Sequence, residues 1–148
     1  MEDYKSLVKI NAAPDKVFNA LTLQIPLWWT EMFEGSANEK NSVFTVRFGA
    51  SVFKTIRVKE IVPGTQVSWF VIDSMIKIPE LRKHGEWIGT TIAWEVIPKD
   101  DGTHLQLLHS GLTPQVECYN LCTQGWQQFT GSLKLFAETG KGLPFKAT

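Results

Sequence analysis

Few side chains in this sequence stand where their types could do chemistry together. His104 and His109 are five residues apart in one predicted strand, which sends them to opposite faces and rules out a shared metal site. His109 falls among Leu105 and Leu107 on the apolar face. An imidazole there either orients a ligand and shuttles a proton, or hydrogen-bonds within the core. Cys118 and Cys122 lie four apart in a predicted helix. That spacing places their Cβ atoms roughly 6 Å apart, too far for an unstrained disulfide. Two thiols without a histidine nearby also fall short of the four ligands that zinc takes, so they read as small buried side chains. Asp100-Asp101 sits in a turn, and Arg47 and Arg57 alternate with apolar neighbours and read as solvated. Ser110-Gly111 lacks the preceding glycine of a nucleophile elbow. With no phosphate loop and no dinucleotide fingerprint either, no catalytic residue, metal ligand or cofactor is assigned.

Composition narrows the classes. The 148 residues suit one domain, 1–148, with 43% apolar and 20% charged residues. Lys plus Arg and Asp plus Glu each number 15, so the basic excess of a nucleic-acid binder is missing. Met1 to Lys9 shows no apolar signal segment, and no run has the length of a membrane span. Together with the lack of a disulfide framework, this places the expected location in the cytoplasm. Six Trp and nine Phe are the compositional excess, and such side chains either fill cores or line cavities for flat, greasy ligands.

The elements that must position these groups follow from periodicity. Leu7–Ile10 ends a first strand, and Pro14 with Asp15 opens a short helix bearing Val17, Phe18 and Leu21. Ile25-Pro26 stops it, and Leu27-Trp28-Trp29 follows as a second short helical or irregular piece. From Ser42 the period becomes two, with strands expected at Phe44–Phe48, Val52–Val62, Gln66–Asp73, Trp87–Pro98 and Thr103–Leu112. Pro63-Gly64 and Lys99–Gly102 are turns, and Ser74–His84, without a period, reads as a flap. Tyr119, Cys122, Trp126, Phe129, Leu133 and Phe136 make one helical stripe, started near Thr113-Pro114 and stopped at Gly140. Gly125 inside it predicts a kink or a close approach to the sheet. The order gives an α+β fold: an antiparallel sheet of about six strands against a long C-terminal helix.

Parity sorts the faces. Glu95 turns Trp87, Thr91 and Ala93 outward, leaving Ile88, Thr90, Ile92, Trp94 and Val96 inward. Leu105, Leu107 and His109 share an inner face, as do Val67, Trp69 and Val71. Two arrangements satisfy this bulk: a filled core, or a curved sheet standing off the helix around a cavity. The expected lining of such a cavity is Phe44, Phe48, Trp69, Val71, Ile92, Trp94, Leu107, His109, Cys122, Trp126, Phe129 and Leu133.

Several segments resemble START-like (SRPBCC) domains. Ile10–Pro14 with Val17-Phe18, Ala20–Thr22 and Trp28-Trp29 matches their opening. Trp87–Ile92 with Trp94–Val96, then Asp101–Thr103 and His109–Leu112, continues the match. Gly125-Trp126, Leu133 and Gly140–Pro144 are similar to the subgroup like the C-terminal domain of the activator of heat-shock protein 90 ATPase. The resemblance implies a helix-grip fold: a curved antiparallel sheet wrapped around the last helix, with two short helices after the first strand. It also implies relatives that bind lipids, sterols or polyketides, some of them cyclases. The leading expectation is therefore a hydrophobic or aromatic small molecule held between sheet and helix. The alternatives are a cyclase or dehydratase using His109, and a module that modulates a chaperone ATPase. A homodimer is left open.

Overall fold

In the computed structural model, which describes residues 2–146, the alternating segments become seven strands in one antiparallel sheet. Residues 1, 147 and 148 of the expected domain lie outside the described residues. The strands are β1 (Tyr4–Ile10), β2 (Phe33–Gly35), β3 (Val43–Arg47), β4 (Val52–Val62), β5 (Gln66–Ile76), β6 (Thr91–Lys99) and β7 (Gly102–Ser110). Their order across the sheet is β1-β7-β6-β5-β4-β3-β2. A hairpin meander runs from β2 to β7, and β1 closes the far edge against β7. The count exceeds the expected six because the three-residue β2, too short to show a period, adds an edge.

Helix α1 (Pro14–Thr22) begins with proline at its first turn, where the missing N–H costs nothing. A single 3₁₀ turn, Ile25–Leu27, follows it. Helix α2 (Tyr119–Thr139) lies along the concave face and ends at Gly140, whose φ of 86° is the left-handed stop. This is the helix-grip arrangement.

Two register shifts between β4 and β5 bend the sheet. Thr55 pairs with Asp73 while Ile56 pairs with Val71, so Ile72 is an extra residue. Lys59 is skipped in the same way between Val58 and Glu60. The bulge at Ile72 inverts the parity of β5: Val67, Trp69 and Val71 point inward before it, Ser74 and Ile76 after it.

Three boundaries differ most from expectation, and the first is β5, which runs on to Ile76 instead of stopping at Asp73, into the segment expected as a flap. β6 starts at Thr91, because Trp87–Thr90 forms a turn closed by Thr90 N–H to the Trp87 carbonyl (3.0 Å), with Gly89 at φ 84°. The alternation projected back through that turn is therefore lost: Trp87 is 4% exposed and Ile88 49% exposed, the reverse of the projection. Helix α2 starts five residues beyond Pro114, after successive turns at Thr113 and Val116. Cys118 gives it no side-chain cap, and just ahead of the helix the Glu86 carboxylate accepts from Glu117 N–H (3.0 Å) and Cys118 N–H (3.1 Å). Gly125 makes no close approach either, since a Cβ there would meet nothing within 4 Å. The close approach belongs to Gly142, where a Cβ would fall 2.6 Å from the Leu27 carbonyl oxygen.

The segment expected as a flap is tied down at both sides. Ile76 N–H donates to the His84 carbonyl (2.8 Å), and the Glu117 carboxylate accepts from Arg82 and Lys83 N–H (2.8 Å each). Among the described residues no helix is long and apolar enough to cross a membrane.

Candidate ligand-binding cavity

All six tryptophans meet in one cluster between sheet and α2. Trp29 is central: it stacks on Trp28 (5.6 Å between centroids) and Trp69 (5.7 Å), and packs tilted on Trp126 (5.4 Å). Trp94 meets Trp28, Trp69 and Trp126 edge to face, an arrangement favoured by the ring quadrupole. The C-terminal tail holds this group in place. Phe145 N–H donates to the Trp29 carbonyl (2.9 Å), and the Ser132 hydroxyl donates to the Trp28 carbonyl (2.7 Å) while accepting from Leu143 N–H (2.7 Å). The indole N–H groups of Trp69 and Trp94 are buried without a partner.

His109 belongs to this filled region. The Trp126 indole N–H donates to His109 Nδ1 (3.0 Å), so that nitrogen is bare and the ring proton sits on Nε2. Nε2–H then donates to Thr90 Oγ1 (2.9 Å), whose own hydroxyl donates to the Trp87 carbonyl (2.7 Å). Both ring nitrogens are used within the protein. Burial, with the Lys54 charge adding to it, pushes the pKa of His109 down to about 3. This is a neutral, orienting histidine, and it does not face open space.

Open space lies beside the cluster, toward the β4–β5 end of the sheet. A cavity of about 340 Å³ is bounded by Trp29, Phe48, Val52, Lys54, Ile76, Ile78 and Trp87 on one side. Leu121, Cys122, Gln124, Gly125, Trp126, Gln128 and Phe129 of α2 bound the other. The bulge at Ile72 positions this wall by bringing Ile76 inward, and the turn at Gly89 swings Trp87 across. On α2, Gly125 leaves its side of the mouth unfilled, while the half-exposed Leu121 forms the rim.

Of the expected lining, Phe48, Cys122, Trp126 and Phe129 do border this space. Phe44, Trp69, Val71, Ile92, Trp94, Leu107, His109 and Leu133 do not: each is at most 1% exposed and packed in the filled core. The two arrangements weighed from parity thus coexist, a solid core under the middle of α2 and a cavity near its N-terminal half.

Lys54 is the residue that parity could have found. It shares the inner face of β4 with Ile56 and Val58, while Thr55 and Arg57 point outward. Its Nζ sits 4.7 Å from the Phe48 ring centroid and 4.5 Å from that of Trp87. Burial lowers its pKa to about 8, partly offset by the Cys122 and Cys118 thiols. Cys122 sulfur accepts from the Trp87 indole (3.2 Å). Its pKa is lowered first by a hydrogen bond from the Cys118 thiol, then by the Trp87 N–H and the Lys54 charge. Both cysteines are free and buried. Among the described residues no group of three or more His, Cys, Asp or Glu could hold a metal.

A family model described as "Activator of Hsp90 ATPase homolog 1-like protein" matches residues 11–138. No functionally curated protein matches the chain. Among solved structures, the Aha1 dimer from Colwellia psychrerythraea is 26% identical with a TM-score of 0.76, over 96% of this chain and 100% of that one. The protein MLL2253 from Mesorhizobium loti is 20% identical with a TM-score of 0.73, covering 90% of this chain and 94% of that one. DynU16, from the dynemicin biosynthetic locus, is 20% identical with a TM-score of 0.70 over 96% of this chain, which spans 49% of DynU16. At 20% identity the last two speak for the fold alone.

Proposed function

Since this chain belongs to the family of activator of Hsp90 ATPase homolog 1-like proteins, we propose that it is a START-like domain that holds a compact hydrophobic or aromatic small molecule between its sheet and α2. The observation that carries the reading is the aromatic-walled cavity of about 340 Å³ beside an otherwise filled core. That volume lies at the lower end of the range of roughly 300–1,000 Å³ for small-molecule sites. It suits one or two fused rings rather than a phospholipid with two acyl chains. Trp29, Phe48, Trp87, Trp126 and Phe129 supply flat apolar walls, and Gln124 and Gln128 supply polar groups at the mouth.

Tryptophan fluorescence and thermal shift against a set of one- and two-ring aromatics test this directly, because three tryptophans border the space. Saturable quenching with a raised melting temperature is expected, and it should be weakened by Gly125→Leu, which narrows the mouth. A set that leaves both signals unchanged at solubility-limited concentrations would remove the proposal.

A cyclase or dehydratase that uses His109 as its acid or base is disfavoured, since both ring nitrogens are already engaged and the ring is fully buried. The Colwellia relative is a dimer, which supports a homodimer here, and sedimentation equilibrium decides it. Modulation of a chaperone ATPase, suggested by the family's description, is tested by the ATPase rate of the chaperone at saturating concentrations of this protein. The two buried free cysteines support a reducing, cytoplasmic setting.

A further inference from the structure

The cavity wall contains a single basic side chain and no carboxylate. That side chain, Lys54, is only 9% exposed and extends from the middle of β4 into a space otherwise lined by rings, aliphatic groups, amides and one cysteine. Among the described residues its ammonium enters no ion pair with the protein, and it opens onto the cavity. The contacts it does make are with the faces of Phe48 and Trp87. Such faces favour a cation over a neutral amine but leave its three N–H donors without acceptors. Directly across the β4–β5 ladder lies Ser74, whose hydroxyl is buried without a partner. A core under no other demand would place Met or Leu at position 54, since a largely desolvated charge without a counter-ion costs stability.

An acceptor carried by the ligand would resolve this. We propose that the cavity selects compact aromatic monocarboxylic acids, with the ammonium of Lys54 as the anchor for the carboxylate and the surrounding rings as the platform for the aryl group. The inference rests on the cavity reading above and specifies the chemical class of its occupant. Hydrogen bonds to a charged partner are shorter and stronger than neutral ones, and in an aromatic enclosure they are little screened. Loss of the carboxylate charge should therefore be felt more strongly than any comparable change on the ring. The small volume sets the companion limit: an acid with one or two rings fits, whereas a long-chain fatty acid would leave most of its chain in solvent.

The test uses matched pairs: benzoic acid, 1-naphthoic acid and indole-3-acetic acid, each against its primary amide, titrated into the full chain at pH 7 by calorimetry. The acids are expected to bind about 10- to 100-fold more tightly than their amides, the range that a charge-assisted hydrogen bond supplies. In Lys54→Met, and in Lys54→Gln as a second variant, that gap should close while amide affinity is retained. Equal binding of acid and amide by the wild-type protein overturns the anchor but leaves the cavity reading standing. So does a gap that survives in either folded variant. Binding of neither acids, amides nor the parent hydrocarbons removes the cavity reading and the anchor together. The wild-type comparison needs no variant, so poor folding of a substituted chain does not blunt the result.

Discussion

Replacing Lys54 with Met is expected to stabilise the ligand-free protein at neutral pH, against the usual direction for a substitution in the interior. The magnitude follows from the environment of the ammonium. Desolvation lowers the pKa of Lys54 from 10.5 to about 8, with the thiols of Cys122 and Cys118 working weakly the other way. At about 1.36 kcal/mol for each tenfold change in proton affinity, the charged form in the fold is disfavoured by roughly 3 kcal/mol. Methionine has a similar length, no charge and a polarisable end that suits the space between Phe48 and Trp87. The pH dependence gives the sign. Below about pH 8 the folded and unfolded chains both hold the proton, and the full penalty is present. Between about 8 and 10.5 the unfolded chain binds more protons than the folded one, so wild-type stability rises with pH; above that window the penalty is gone. Urea denaturation followed by tryptophan fluorescence should show Lys54→Met about 3 kcal/mol more stable at pH 7. The melting temperature should be higher by roughly 6–12 °C for a chain of this size. The advantage should shrink by most of that amount at pH 10.5. The same ammonium faces Cys122, whose pKa is lowered, and Cys118, whose pKa is raised by its hydrogen bond to Cys122 and by burial, so the comparison is repeated with both as alanine. A variant less stable than wild type at pH 7, or an advantage that does not change with pH, would refute the account of an unpaired, desolvated cation.

Three further perturbations probe other parts of the structure. With His109 held near a pKa of 3 in the fold against 6.5 unfolded, its contribution is complete above pH 6.5. It is lost as pH falls toward 3, by about 2 kcal/mol at pH 5. His109→Gln should remove that acid-dependent loss, and an unchanged difference in urea stability between pH 7 and pH 5 would count against the assignment. Gly125→Ala should raise stability by about 0.5–1 kcal/mol, because the added methyl meets no atom within 4 Å and a helical glycine is relieved; a lower melting temperature contradicts this. Gly142→Ala should cost about 1–3 kcal/mol, since its Cβ would press on the Leu27 carbonyl and loosen the tail that holds Trp28 and Trp29; wild-type stability in urea would show that the tail yields freely.

Much of the inner surface was legible from local pattern. Strand side chains alternate with a period of two, so one charged residue per strand assigns its neighbours. Glu95 assigned Ile92, Trp94 and Val96; His104 and Gln106 assigned Leu105, Leu107 and His109; all six prove buried. The reasoning failed where the backbone broke the period. Projecting alternation back from Thr91 ignored the left-handed Gly89, and so Trp87 was turned to solvent although it forms a wall of the cavity. The bulge at Ile72 is likewise invisible to a count of apolar residues, yet it decides that Ile76 points inward.

The C-terminal helix shows the same division. Its stripe of Cys122, Trp126 and Leu133 and its stop at Gly140 follow from spacing and from the one residue type that adopts a positive φ readily. Within each unbroken strand or helix, side-chain chemistry and a local period were enough to say which residues leave water. Only the tertiary structure decided where the interior is filled and where it is open. That is a difference between the volume enclosed by distant elements and the volume of the side chains pointing into it. Under Trp69, Trp94 and His109 the two volumes match; between Lys54 and Gly125, where the bulge at Ile72 re-aims the strand and a glycine has no side chain, they do not.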